Sequence, residues 1–505
     1  MKVKTLMVQG TASSAGKSII ATALCRILKQ DGYTVCPFKA QNMALNSFVT
    51  IEGGEIGRSQ AVQAEAAGIA PSVHMNPVLL KPEADARSQV IVLGKVAYTI
   101  TASNYYKKTG ELLKTIETSL NHLRTMYDII VIEGAGSPAE INLKRDEIVN
   151  MRIAKLAAAP VLLVADIDRG GVFASLVGTM ELLDESERKY VKGFIINKFR
   201  GDVSLLKDGL DFLESKTGVP VLGVIPYFRD IAIAQEDSVY LDERAESKAG
   251  ADLDIAIIRL PHISNYDDFD PLEWDGCNVR YVSGTNDLGR PDMVILPGTK
   301  STMSDLVHLN DSGLAADIVQ LARAGTSVIG ICGGYQMLGR RILDPNLIEA
   351  DKELIEGLGL LDVETTFIEQ KSTVQIKAKV AADHGLLAGL KGQQIEGYEI
   401  HMGQTVSDDN TGAFHVNWTP SGASGYVDGT VSDDGMVLGT YIHGIFNSAL
   451  FRLGLLNTLR RKRGLPERLQ QRMSKDEQYD KLAKLVHDNL DMKKVYQLLE
   501  AGIDE

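Results

Sequence analysis

Short apolar runs recur along this chain, most of them followed by a turn signal and a segment of helical period. In the first half the predicted strands are Val3–Val8, Thr34–Phe38, Ile129–Ile132, Val161–Val164, Gly193–Ile196 and Val221–Ile225. Strands that alternate with amphipathic helices predict a mostly parallel, doubly wound sheet with helices on both faces. A polar stretch, Asp242 to Gly250, then breaks the pattern. A second strand series follows at Ile255–Ile258, Val279–Val282, Met293–Leu296 and Val328–Ile329, with a β-rich run through Val374–Val380 and Gly397–Ile400 to Val437–Tyr441. Beyond Asn447 the chain is charged and helical. The expected organisation is an α/β domain over 1–241, a linker over 242–252, a second α/β domain over 253–447 and a helical appendage over 448–505.

Composition narrows the function classes. A chain of 505 residues has room for several domains, each able to bury a core. The net charge of −13 and the lack of a long basic run argue against nucleic acid as partner. The longest apolar stretch, Leu156 to Ala165, is too short to span a bilayer, and no membrane partner is expected. Four scattered cysteines form no CxxC pair, so neither a zinc site nor a disulfide framework is indicated. Cys25 and Cys36 fall in predicted core elements. Together these features predict a soluble cytoplasmic enzyme, and a homo-oligomer is compatible with them.

In an open α/β sheet, chemistry sits at the carboxyl ends of the strands. The first predicted strand runs into Gly10-Thr11-Ala12-Ser13-Ser14-Ala15-Gly16-Lys17-Ser18, and a helix begins directly after it. Strand, small-residue loop, Lys-Ser and helix make a phosphate cradle of the P-loop type. Backbone N–H groups around Gly10, Thr11 and Gly16 and the helix N-terminus would hold phosphate oxygens. Lys17 would neutralise the β- and γ-phosphates of ATP, and the Ser18 hydroxyl would ligate Mg²⁺. The loop is one residue longer than the usual spacing, with Thr11 where the first glycine would stand. Glu133 ends another predicted strand, Asp128-Ile129-Ile130-Val131-Ile132-Glu133, and is the second candidate metal ligand; a capping or solvated Glu is the plainer alternative. Asp166 and Asp168 follow Val161–Val164. They are candidates for facing the transferred phosphate or the substrate, and suit a loop-forming role equally well. Asn197 ends a further strand, as a reader of the adenine edge or as a turn residue. Lys39 and the amide-rich Gln41–Ser47 run, with Asn42 in it, follow the second strand and are substrate candidates.

The second half carries Gly330-Ile331-Cys332-Gly333-Gly334-Tyr335-Gln336 after the apolar Val328–Ile329. A Cys between small residues at a strand-to-helix turn has the pattern of a nucleophile elbow, with the thiol at a helix N-terminus that favours thiolate. A thiolate nucleophile needs a base. His443, at a late strand end in Thr440-Tyr441-Ile442-His443-Gly444, is the candidate, and His401 is the runner-up. Backbone N–H groups of Gly298, in Leu296-Pro297-Gly298-Thr299, and of Gly333 are expected to form an oxyanion hole.

The elbow around Cys332 resembles the glutaminase site of class I glutamine amidotransferases. That resemblance implies Glu two residues after His443, where this chain has Ile445, so a third triad member is missing or comes from elsewhere; Glu399 is the candidate. The phosphate loop resembles that of dethiobiotin synthetase. The segments Lys39–Ser47, Glu133–Leu143, Ala165–Phe173 and Tyr398–Gly403 together resemble the cobyric acid synthase family over nearly the whole chain. The resemblance implies ATP- and glutamine-dependent amidation of a corrinoid polycarboxylate. The acceptors would be the four peripheral carboxylates b, d, e and g of adenosylcobyrinic acid a,c-diamide. The alternatives are an amidotransferase for another carboxylate, of the cobyrinic acid a,c-diamide synthase or cell-wall lipid type, or a partitioning-type nucleotide-switch ATPase. The latter has a second Lys where this chain has Ala12, and lacks a glutaminase half.

Overall fold

The computed structural model describes residues 3–83, 87–105, 107–228, 231, 233, 251–407, 412–422, 425–469 and 474–503. Most of the predicted 242–252 linker lies outside the described residues. The chain divides into two compact units.

The first unit comprises 1–44, 55–237 and 474–505. Its main sheet has six parallel strands in the order Val221–Pro226, Val191–Phe199, Val161–Asp166, Lys4–Gly10, Ile129–Glu133, Val35–Phe38. Five-residue runs such as Ile129–Glu133 are buried throughout, as a sheet covered on both faces requires. One face packs against the helix Lys17–Gln30 and the other against Thr109–Arg124. A small antiparallel meander, Val78–Glu83, Arg87–Val92 and Lys95–Thr101, joins Gln41–Met43 in a second sheet that the strand pattern did not reveal. The loop after Lys4–Gly10, the carboxyl end of Ile129–Glu133 and the segment after Val35–Phe38 meet at one end of the main sheet. The parallel register Val8 to Glu133 and Phe38 to Ile132 fixes that alignment.

The second unit comprises 45–54 and 238–473. Strands Asn278–Val282, Asp254–Ile258, Met293–Leu296, Ser327–Ile331 and Val437–Thr440 form a parallel core. The same sheet continues antiparallel through Tyr426–Val431 and Gly412–Trp418 to the long pair Val363–Val380 and Gln394–Ser407. The register Ile331 to Thr440 sets the start of the Cys332 turn beside the approach to His443.

The segment beyond Asn447, expected as one appendage, divides. Helix Ala449–Lys462 belongs to the second unit. There the fully buried Arg452 and Arg460 pair with Asp275 at 2.7 Å and Asp252 at 3.1 Å. Helices Lys475–Asn489 and Met492–Ala501 belong to the first unit, where Tyr479 reaches Glu65 and Asp480 takes Arg26 at 2.8 Å. The two fates follow from the partners each helix offers: buried arginines in one, an apolar face for the Lys17–Gln30 helix in the other. No helix among the described residues is long and apolar enough to cross a membrane.

Candidate active site

Each unit gathers one of the two predicted constellations. In the first, Gly16 caps the helix Lys17–Gln30 with φ 102°, a conformation glycine adopts freely. A Cβ there would lie 2.0 Å from Asn197 Nδ2, and one on Gly10 would press on the Lys17 stem at 3.0 Å. The loop is therefore built for close approach. Thr11 N–H is held by the Val164 carbonyl at 2.9 Å. Lys17 Nζ donates to the carbonyls of Ala12 (2.9 Å) and Gly136 (3.1 Å), folding back over the loop.

Ser18 and Glu133 come together: Ser18 Oγ donates to Glu133 Oε1 at 2.8 Å. Lys39 Nζ reaches the same oxygen at 2.9 Å, and Gln63 Nε2 the other at 2.5 Å. Burial would push the Glu133 carboxyl up, but the Lys39 charge and the bonds from Lys39, Gln63 and Ser18 hold it below the usual range. Lys39, predicted as a substrate group, is thus a buried partner of Glu133. Asn42 is also buried, with its amide on Gln60 at 3.1 Å. Asp166 pairs with Lys198 at 2.9 Å, and Asp168 with Arg200 at 2.7 Å. Asn197 Nδ2 donates to the Ala15 carbonyl at 3.0 Å, so the residue expected at the base also braces the loop. Asn150, unnoticed in the sequence, clamps the turn after Glu133 by bonding both the N–H and the carbonyl of Ala135.

In the second unit Cys332 follows strand Ser327–Ile331 and precedes helix Gly333–Leu338, with φ 53° and ψ −109°. That left-handed conformation is costly for a residue with a Cβ and marks an elbow held by its surroundings. The flanking glycines are required by contact: a Cβ on Gly333 would meet Thr299 at 2.7 Å, and one on Gly334 the Leu296 carbonyl at 2.0 Å. Gly298 lies against the His443 ring, where a Cβ would sit 2.8 Å from Cε1. The predicted oxyanion residues Gly298 and Gly333 therefore flank the same Cys–His pair.

His443 is buried, and its Nδ1 lies 2.7 Å from Asp268 Oδ2; Asp268 Oδ1 also accepts the Gly444 N–H at 3.0 Å. Asp268 was not singled out in the sequence. The available signal was the acidic run Asp267-Asp268-Phe269-Asp270 after the core strand Asp254–Ile258, but it lies 175 positions from His443. Glu399 does not take this place. It accepts from Tyr426 Oη at 2.9 Å and lies 3.7 Å from His401 Nε2. His401 stacks on Tyr441 and bonds the Gly403 carbonyl through Nδ1.

Electrostatics distinguish Cys332 from the other cysteines. Burial pushes the Cys25, Cys36 and Cys277 thiols up, the last to about 12. Burial acts on Cys332 in the same direction, but the hydrogen bond and charge of His443, the charge of His401 and the Gly333 N–H bring it below the ordinary value. Burial would depress His443, yet the Asp268 carboxylate and the Cys332 sulfur push it up to about 10. The pair is thus biased toward thiolate and imidazolium.

Both constellations lie within regions that match known families. Residues 6–239 match the family described as CobQ/CobB/MinD/ParA nucleotide binding domain, and residues 254–451 the CobB/CobQ-like glutamine amidotransferase domain. A nucleotide-binding domain joined to such a domain defines a glutamine-dependent amidotransferase, a carbon–nitrogen ligase. Cobyric acid synthase of Dehalococcoides mccartyi (strain CBDB1) is 61% identical over 99% of both chains. Cobyric acid synthase of Desulforamulus reducens is 50% identical over 99% of this chain and 98% of its own. That of Alkaliphilus metalliredigens is 52% identical over 98% of this chain and 99% of its own. The chain belongs to the cobyric acid synthase family, whose amidation reaction serves cobalamin biosynthesis.

Proposed function

We propose that this enzyme amidates the b, d, e and g carboxylates of adenosylcobyrinic acid a,c-diamide, using ATP and the amide nitrogen of glutamine, to give adenosylcobyric acid. The observation that carries the reading is the pairing of two complete chemistries in one chain: a buried Cys332–His443–Asp268 relay in one unit and a Lys17/Ser18–Glu133 phosphate end in the other.

The Cys332 thiolate attacks the glutamine amide carbon, and the oxyanion forms between the Gly298 and Gly333 turns. Imidazolium His443 gives its proton to the departing nitrogen, releasing ammonia and leaving a thioester. His443 then takes a proton from water, which attacks the thioester and frees glutamate. Asp268 holds the ring so that Nε2 faces the reaction, and stabilises its charge.

In the other unit a substrate carboxylate oxygen attacks the γ-phosphorus of ATP. ADP leaves, and an acyl phosphate forms under the charge of Lys17. Ammonia attacks the acyl carbon and phosphate departs, giving the amide. The residues fit a magnesium ion. Ser18 and Glu133 offer hard oxygen donors, and Gln63 Oε1, on the amide that holds Glu133, is buried with no partner among the described residues. Ser18 and Glu133 would hold the ion, whose chemistry is to neutralise charge on the β- and γ-phosphates. Lys39 keeps Glu133 ionised.

The test is mass spectrometry of the corrinoid after incubation with enzyme, ATP, Mg²⁺ and glutamine. Four successive losses of about 1 Da, each an OH replaced by NH₂, are expected. An unaltered corrinoid with intact glutaminase activity would overturn the substrate assignment. One phosphate site can align one carboxylate at a time, so a dissociative sequence with partly amidated corrinoids in solution is expected under substrate excess. Only starting material and full product at early times would overturn that order of events.

A further inference from the structure

The glutaminase centre contains a piece of chain that the sequence places in the other half. Residues 45–54 belong to the second unit, although its first core strand begins at Asp254. What they touch is specific. Ser47 carbonyl accepts from Asn265 Nδ2 at 3.1 Å and from Tyr398 Oη at 3.2 Å, across 218 and 351 positions of sequence. Asn265 Nδ2 also donates to Tyr398 Oη at 2.6 Å, closing a buried triangle. Phe48 packs edge-on against the Tyr398 ring, and Val49 joins Tyr398 and Ile400 in a separate apolar cluster.

Both residues held by Ser47 are neighbours of the catalytic relay. Asn265 opens the turn Tyr266–Phe269 that carries Asp268, with a left-handed backbone of φ 54° and ψ 38°. Tyr398 stacks on the His443 ring at 5.3 Å and 14°, and exchanges two backbone hydrogen bonds with it, at 2.8 and 3.2 Å. Asn46 adds a third tie, its Oδ1 accepting the Tyr266 N–H at 3.3 Å. Asn46 is 1% exposed, and its Nδ2 has no partner among the described residues. A buried amide with half its capacity unmet is costly, and what it secures here is the start of the Asp268 turn.

We propose that Asn46–Val49 is a positioning segment of the glutaminase centre, with the Ser47 carbonyl as the common anchor through which Asn265 and Tyr398 fix Asp268 and His443 relative to each other. The proposal rests on the reading of Cys332, His443 and Asp268 given above. The His443 ring faces Asp268, Cys332 and Tyr398, and the sulfur also faces His401, behind which lies Glu399. Loosening the anchor weakens the Asp268 bond, so the imidazolium is lost at lower pH. The window in which the ion pair exists narrows from its alkaline side.

The test uses the full chain. Asn265→Gly removes both amide donors and keeps a backbone that glycine adopts freely. Tyr398→Phe removes one hydroxyl at nearly constant volume, and decides the matter if the glycine variant does not fold. Glutamine hydrolysis is followed as kcat, KM and pH profile, with ammonium-driven amidation as the measure of an intact synthetase and Cys332→Ala as a control for the underlying site. Expected for each is a kcat loss of about 10–100-fold with KM little changed, as for a misaimed base. The alkaline limb should move to lower pH and ammonium-driven turnover should be retained. The double variant should fall well short of the product of the two losses, because both act through one carbonyl. A folded Tyr398→Phe enzyme with unaltered kcat and pH limbs, or one that loses kcat with both limbs in place, overturns the proposal. Glutamine hydrolysis surviving in Cys332→Ala would instead overturn the site reading itself.

Discussion

The two units solve the problem of charge differently. In the proposed glutaminase centre the groups already face each other: thiol, imidazole and carboxylate are buried together, and their mutual fields bias the pair toward thiolate and imidazolium. At the phosphate end the charged groups face the protein. Lys17 bonds loop carbonyls, and Glu133 is covered by Lys39, Ser18 and Gln63. The difference follows from where the nucleophile comes from. A nucleophile belonging to the protein must have its ionisation set in advance. A site for a polyanion instead keeps its cations partnered and exchanges those partners when phosphate arrives.

The sharpest way to break this comparison is to remove one half at a time. Cys332→Ala should lower glutamine-dependent amidation by at least about 10⁴-fold, as deletion of a covalent nucleophile does, while amidation from high ammonium salt persists. His443→Ala should resemble it. Loss of both nitrogen routes in a folded Cys332→Ala protein would mean that the two centres are not separate.

Lys17→Ala should slow product formation from glutamine and from ammonium alike, by about 10²–10³-fold. Near-normal ammonium-driven turnover would remove Lys17 from the phosphate site.

Asp268→Asn sharpens the contrast within the glutaminase. We expect about 10²–10³-fold lower kcat for glutamine, somewhat milder than the loss found for a triad carboxylate amidated elsewhere. The sign of the pH effect is fixed by the geometry. Asp268, together with the Cys332 sulfur, raises His443 to about 10 in the intact site, so loss of Asp268 lowers that value and brings the alkaline limb to lower pH. A limb that stays in place would show that Asp268 has no electrostatic hold on the ring.

The smallest effect is expected at His401. It lies near the sulfur but bonds Gly403 through Nδ1 and leans on Glu399 and Tyr441. His401→Ala should keep glutamine hydrolysis within about tenfold, the range of an indirect electrostatic neighbour. A loss equal to that of His443→Ala would make His401 the base.

Much of the fold and half of each site could be read locally. The strand-loop-helix around Lys17 and the elbow around Cys332 are each written in about ten adjacent residues, because backbone geometry at those turns depends on glycines and on the strand and helix beside them. The partners were harder. Glu133 was legible because it ends a core strand in a parallel sheet, and its register to Val8 puts it beside the loop. Its own partners Lys39 and Gln63 are not legible in the strand pattern, because they reach Glu133 from 94 and 70 positions away.

The sequence by itself determined two α/β halves, their order, and the Lys17 loop and Cys332 turn, since these depend on local periodicity and turn chemistry. Tertiary structure alone decided that Asp268, and not Glu399, holds His443; that Asp166 and Asp168 face Lys198 and Arg200; and that the chain beyond Asn447 divides between the units. It also decided that Ser47, from the first half of the sequence, anchors the neighbours of His443. These pairings join residues far apart along the chain, where spacing carries no information. Around the buried Asp268 and Ser47, the requirement that buried polar groups find partners selects the pairing.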